Sequence, residues 1–211
     1  IKNTLNELKQ AAGKSKILVT AYFEDLNEDI KKEVFESNVD AVHLDLVRGT
    51  KNKDYVKNSN KQLSLGLVDG RNVWKSNLQE KIDFVKANTS GDVIISSSCP
   101  LLHTPYDLDL EQKVPAEIKR WLSFSKQKLK ELRVIKNVID NNSHQDELKQ
   151  NTADVQDRKT SKLIHDDQVK NRIKTINKSI TERKSGYAAR AKVQKDIFGL
   201  PKYPTTTIGS F

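Results

Sequence analysis

Ala41-Val42-His43-Leu44-Asp45-Leu46-Val47 is the stretch that decides how this chain folds. Branched and apolar side chains stand on both of its faces, so it predicts a strand buried from both sides, as strands of a parallel sheet are. The flanks repeat the signal. Ile17-Leu18-Val19-Thr20-Ala21-Tyr22-Phe23 predicts a strand before it; Leu63-Ser64-Leu65-Gly66-Leu67-Val68 and Asp92-Val93-Ile94-Ile95 predict two after it. Between them the apolar period lengthens to three or four. Leu26, Ile30, Val34 and Phe35 mark one helix, Tyr55 and Val56 lie in a second, and Leu78, Ile82 and Val85 mark a third. Leu5, Leu8 and Ala12 mark a leading helix that Gly13 stops. Strands alternating with helices of this length predict a parallel sheet joined by right-handed crossovers.

The polar residues gather at one end of these strands. Tyr22, Glu24 and Asp25 lie at or past the end of the first, and Asp45 and Arg48 at the end of the second. Asp69, Arg71 and Asn72 follow the third; Ser97, Ser98, Cys99 and His103 follow the fourth. In a β/α barrel the C-terminal strand ends form the working face, and the complete fold needs eight strands and about 250 residues. Four βα units predict half of a (β/α)8 barrel.

The pattern changes at Pro115, a residue suited to the first turn of a helix. Ile118, Trp121, Leu122, Leu129, Leu132, Ile135 and Ile139 then predict one long apolar stripe. Asn141 to Asp157 is polar and predicts a loop or a weakly held helix, Val169, Ile173, Ile176 and Ile180 a further helix, and Tyr187 to Ile197 a last one ended by Gly199 and Pro201. The chain closes on Tyr203-Pro204-Thr205-Thr206-Thr207-Ile208-Gly209-Ser210-Phe211, whose β-branched run predicts another strand. The expected organisation is 1–140 as half barrel, 141–203 as a helical interdomain connector, and 204–211 as the first strand of a second barrel. A chain that begins at Ile1, contains no Met and stops on a new strand is expected to be a piece of something longer.

With 211 residues, 36% hydrophobic and 31% charged, the chain can bury one sizeable core. No apolar run reaches the ~20 residues that a membrane helix needs, so no membrane partner is expected. A single cysteine precludes an internal disulfide and suits a reducing, cytoplasmic setting. The net charge of +9 raises the question of nucleic acid. However, Lys and Arg are mixed with Glu and Asp, as in Lys31-Lys32-Glu33, and aromatics make up only 6% of the chain. Solvated helix faces are the expected reading, with no nucleic-acid partner.

The tail Thr205-Thr206-Thr207-Ile208-Gly209-Ser210-Phe211 resembles the first strand of the catalytic barrel of cobalamin-independent methionine synthase, the 5-methyltetrahydropteroyltriglutamate–homocysteine methyltransferase family. Thr20–Phe23, His43–Arg48, Gly66–Trp74 and Ser98–Pro105 resemble successive strand ends of that family's N-terminal barrel. The resemblance implies a parent enzyme that moves a methyl group from 5-methyltetrahydrofolate polyglutamate to zinc-activated homocysteine, forming methionine without cobalamin. It implies that Ile208, Gly209 and Ser210 contact homocysteine or methionine, and that the zinc ligands, a His, two Cys and a Glu, lie outside this chain. The chain alone is then expected to be inactive, with its open barrel edges covered by the rest of the protein or by a second half barrel. Two alternatives stand beside this reading: a non-enzymatic basic helical module binding a polyanion, and a related uroporphyrinogen-decarboxylase-like barrel enzyme.

Within the chain no catalytic or metal-ligating set is expected. Cys99 and His103 stand four apart, but Pro100 and Pro105 make the segment non-helical, so that spacing does not bring them together. His43 between Val42 and Leu44 is expected to be a satisfied inner-barrel histidine. Asp45 with Arg48, and Asp69 with Arg71, are expected to form salt bridges and hydrogen bonds that lock the strand-end loops.

Overall fold

The computed structural model describes residues 1–57, 59–205 and 209, which fall into two compact units, Ile1–Ser161 and Lys162–Phe211. The first unit opens with helix α1 (Lys2–Ala11) and Gly13 in the left-handed region at φ 57°. Strand β1 (Leu18–Ala21) leads to helix α2 (Glu28–Glu36), whose N-cap Asn27 accepts from the Asp29 amide while Glu28 and Asp29 complement the positive helix start. Strand β2 (Ala41–Asp45) is buried at every position, and a short 3₁₀ turn (Lys51–Tyr55) stands where Tyr55 and Val56 suggested a longer helix. Strand β3 (Gln62–Val68), helix α3 (Leu78–Asn88) and strand β4 (Ile94–Ser97) follow.

The four strands form one parallel sheet in the order β1-β2-β3-β4. This is the α/β architecture expected of half a β/α barrel. β1 and β4 are its edges, where Leu18 and Ile94 are 45% and 41% exposed. Val42, Leu44, Leu65 and Val68 from the central strands pack against Ile82 and Val85 of α3, forming the core.

Downstream the structure departs from the sequence reading in two places. Residues 118–139 do not form one helix. A single turn, α4 (Ala116–Lys119), ends early, and helix α5 (Ser125–Asn141) starts after an extended stretch. That stretch pairs with residues 73–75: Lys75 N donates to the Trp121 carbonyl at 2.8 Å and Ser123 N to the Val73 carbonyl at 2.8 Å. Leu129, counted in the apolar stripe, is exposed, whereas Lys128, Glu131, Val134, Ile135 and Val138 form the buried face of α5.

The second departure is helix α6 (Gln145–Thr160), which occupies the polar stretch and is firmly held. Leu148, Asn151 and Asp154 recur every three residues on its buried side. Asn151 accepts from the Leu78 amide and donates to the Ser76 carbonyl, and Asp154 accepts from Lys75 Nζ at 2.7 Å. These polar anchors hold α6 to α3, and a search for large apolar residues does not see them.

The second unit contains α7 (Asp167–Lys174), α8 (Lys178–Thr181) and α9 (Tyr187–Phe198), the last ended by Gly199 in the left-handed region at φ 58°. The apolar series from Val169 to Ile180 is split over two helices by Asn177, which caps α8, and all four of its residues are exposed. Residues 162–211 hold eleven Lys and Arg against four Asp and Glu. The positive charge is therefore concentrated here rather than spread evenly along the chain.

Candidate functional site at the strand ends

Asp45 closes β2 and is fully buried. Its carboxylate accepts three backbone amides, Phe23 at 2.9 Å on one oxygen and Val47 and Arg48 at 2.8 and 2.9 Å on the other. Three donors occupy three of the roughly four lone-pair positions of the carboxylate, a structural use that leaves little of it for a reacting group. Asp69 is used in the same way, accepting from the Arg71 amide at 2.8 Å and Asn72 Nδ2 at 2.6 Å. The hydrogen-bonded half of the expectation for these pairs holds, but the ionic half does not: the described residues show no Asp45–Arg48 or Asp69–Arg71 ion pair. The backbone turns so tightly past each strand that the carboxylate meets amides before either guanidinium can reach it.

Asn52 is the residue that sequence reasoning missed. Fully buried, it accepts from the Leu26 amide at 2.9 Å and donates to the Asp45 and Glu24 carbonyls at 2.9 and 3.3 Å. Asp25 accepts the amides of Lys51 and Asn52 at 2.7 and 3.3 Å. Together these bonds fasten the loop after β1 to the loop after β2. Gly49 makes this possible, since a Cβ there would lie 2.6 Å from the Asp45 carbonyl oxygen and 2.1 Å from Asn52 Nδ2.

Phe23 sits in the left-handed region at φ 83°, which is unusual for a bulky residue. Its ring meets Tyr22 edge-on at 4.7 Å and His103 at 5.7 Å, and the Arg71 guanidinium lies 5.0 Å from the ring centre. The ends of β1, β3 and β4 therefore converge on one aromatic and cationic patch. Arg71 and His103 are exposed within it.

His43 is buried in β2, with Nδ1 2.9 Å from Ser64 Oγ and Nε2 3.3 Å from the Ser98 carbonyl. A carbonyl only accepts, so Nε2 carries the proton and Nδ1 accepts from the Ser64 hydroxyl. Burial pushes the imidazole below its ordinary value of 6.5, only partly opposed by the Ser98 carbonyl and the Asp45 charge. Between the unfolded and folded values the unfolded chain binds more protons, so stability falls as pH drops below about 6.5 and the loss is complete below the folded value. Urea midpoints between pH 7.5 and 5 are expected to fall, with a smaller slope in His43→Gln; equal slopes would contradict the assignment.

Cys99 is also buried, its Sγ directed to the Pro100 carbonyl at 3.7 Å, and burial pushes its thiol up. It stays a thiol at neutral pH, not a nucleophilic thiolate. Ser98 ties β4 to β3 by accepting the Gly70 amide at 3.2 Å and donating its own to the Val68 carbonyl at 2.7 Å, while Ser97 Oγ donates to the Cys99 carbonyl at 2.8 Å. Cys99 and His103 are not brought together on one ligand. Among the described residues no three His, Cys, Asp or Glu side chains gather as a metal site. Of the tail residues expected to contact substrate, Gly209 is described, at φ 138°, and Ile208 and Ser210 lie outside the described residues.

A four-stranded parallel sheet whose C-terminal ends carry a rim of buried, hydrogen-bonded polar groups is the frame of a β/α-barrel domain. Residues 1–90 match the family model described as cobalamin-independent synthase, N-terminal domain. Over 221 aligned residues the chain is 39% identical to the 5-methyltetrahydropteroyltriglutamate–homocysteine methyltransferase of Flavobacterium johnsoniae, covering 98% of this chain and 28% of that protein. The enzyme of the same name from Mesorhizobium japonicum is 39% identical over 213 residues, with 97% and 27% covered, and that from Vibrio harveyi 39% over 204, with 93% and 27% covered. The chain belongs to the cobalamin-independent methionine synthase family. It spans a little over a quarter of the length of the curated relatives it matches.

Proposed function

We propose that this chain is the framework part of a methyltransferase that moves a methyl group from 5-methyltetrahydrofolate polyglutamate to homocysteine, making methionine in the cytoplasm. The similarity of nearly the whole chain to proteins bearing that name carries the reading. The strand-end rim supports it from the other side: Asp45 and Asp69 are taken up by amide donors and His43 is internally satisfied, so this span supplies walls rather than reacting groups. Residues 1–140 would form the second half of the N-terminal barrel, 141–203 a connector and 204–211 the first strand of the catalytic barrel. The remaining strands of the first barrel, or a second half barrel, would cover the edges of β1 and β4.

The zinc that the family resemblance implies does not fit the side chains of this span, because its only cysteine is buried and neutral and no three ligands converge among the described residues. Its ligands would belong to the catalytic barrel, and cobalamin takes no part. Ile208, Gly209 and Ser210 would line the homocysteine site there, glycine allowing close approach and serine supplying a hydroxyl and an amide. In a protein joining this span to a catalytic barrel, Ser210→Ala is expected to raise KM for homocysteine about tenfold with kcat little changed, the loss of one hydrogen bond to a charged group. Steady-state kinetics at varied homocysteine test this; an unchanged KM would overturn the assignment of Ser210.

A further inference from the structure

Away from the strand ends, a cavity of about 310 Å³ opens among α3, α5, α6 and the extended stretch between α4 and α5. Leu78, Leu108, Leu122 and Val134 give it mostly apolar walls. Several polar side chains also line it, among them Lys75, Lys119 and Lys130, and two of the buried ones are Ser123, which has no exposure, and Glu131, which is 6% exposed. Neither is fully used. Glu131 Oε1 accepts the Ser76 amide at 3.2 Å, while Glu131 Oε2 and Ser123 Oγ have no partner in hydrogen-bond geometry, although Ser123 lies near enough to Glu131 to favour its charged form. The nearby lysines serve other acceptors or face outward: Lys128 Nζ donates to the Trp74 carbonyl at 3.2 Å, Lys75 Nζ to Asp154 at 2.7 Å and Lys119 Nζ to the Glu111 carbonyl at 2.9 Å, and Lys130 is exposed.

A buried carboxylate oxygen without a donor is costly, and burial pushes the Glu131 carboxyl up from its ordinary range. One water occupies about 30 Å³, a tenth of this space, and would leave the leucine and valine walls without contacts. A cavity of this size lies at the lower end of small-molecule sites, which characteristically combine apolar walls with a few convergent polar groups. What satisfies both requirements is a short aliphatic chain carrying a charged donor at one end.

We propose that this cavity binds a small primary alkylammonium compound, its ammonium on Glu131 Oε2 and Ser123 Oγ and its chain against Leu78, Leu108, Leu122 and Val134. The ammonium supplies three donors, enough for both open acceptors, and its charge answers the carboxylate in surroundings that weakly screen it. No step of the methyl transfer is involved, so the inference stands apart from the proposed function.

Calorimetric titration of the full chain with n-butylammonium chloride tests it, with sodium butyrate as the probe of equal length and opposite charge. Saturable binding of butylammonium is expected, with none of butyrate. Ser123→Ala is expected to weaken it severalfold and Glu131→Gln at least tenfold. Should Glu131→Gln fail to fold, the contrast between the two probes and the Ser123→Ala result decide. Equal heats for both probes, no saturation with butylammonium, or an affinity untouched by Ser123→Ala would overturn the proposal.

Discussion

Gly66→Ala is expected to cost the first unit about 3 kcal/mol or more, a large part of what holds a domain of this size together. Gly66 lies inside β3, paired with Asp45 of β2 and Ser96 of β4. A Cβ there would lie 2.8 Å from Ser98 Cα, 2.9 Å from the Leu44 carbonyl oxygen and 3.1 Å from His43 Cε1. The first two are backbone atoms on either side of β3. Neither can move without prising the sheet apart, so the clash has no cheap relief. Urea denaturation followed by the fluorescence of Trp74 and Trp121 measures it. Gly91→Ala is the control: with nothing within 4 Å of its added Cβ, it is expected to stay within about 0.5 kcal/mol of the parent. Equal midpoints for the two variants would refute the close-approach account of β3.

Asp45→Ala is the second large effect, on the order of 3 to 5 kcal/mol. It strips the acceptor from three partly buried hydrogen bonds at once, those of the Phe23, Val47 and Arg48 amides, and each donor orphaned away from water costs about 1 to 3 kcal/mol. Asp45→Asn keeps one oxygen and thus the Val47 and Arg48 bonds, so roughly half of the loss is expected to return. The ordering Asp, then Asn, then Ala, read from denaturation midpoints, is the test. A variant series in which Asn is no better than Ala would point to the charge of Asp45, not its bonds. The Phe23 amide bond also props a left-handed backbone, so the contact between the Phe23 and His103 rings is expected to loosen in both variants.

Much of the first unit is legible in the sequence because its central strands are buried on both faces. Ala41–Val47 and Leu63–Val68 carry continuous apolar runs that few other structures accommodate, and the polar rim follows from where those runs stop. β4 begins two residues later than the run from Asp92 suggests, since Asp92 and Val93 precede the edge strand rather than join it. The helical half is harder to read. Trp121 and Leu122 fit a helical period, yet the backbone bonds of Lys75 and Ser123 hold that stretch extended. Asn151 and Asp154 anchor α6 through hydrogen bonds to Leu78, Ser76 and Lys75, and a buried side built largely of polar residues leaves no apolar period to read. Asn52 shows the same limit at the site: its neighbours in space, Leu26, Glu24 and Asp45, are set by the barrel turns, not by spacing along the chain.

The burial of Lys128 and Glu131 is another feature that composition conceals. One helical turn separates them, and burial lowers the lysine and raises the glutamate while each opposes the other's shift. In a sequence they read as one more solvated charge pair; in the fold Glu131 lines a cavity and Lys128 is turned to the Trp74 carbonyl.

The most direct test of the framework role is methionine formation by the purified chain supplied with zinc, homocysteine and 5-methyltetrahydropteroyltriglutamate. If this span holds walls and not reacting groups, product stays at the level of the protein-free control. Sustained turnover by the chain alone would contradict that and place the chemistry among the strand-end residues after all.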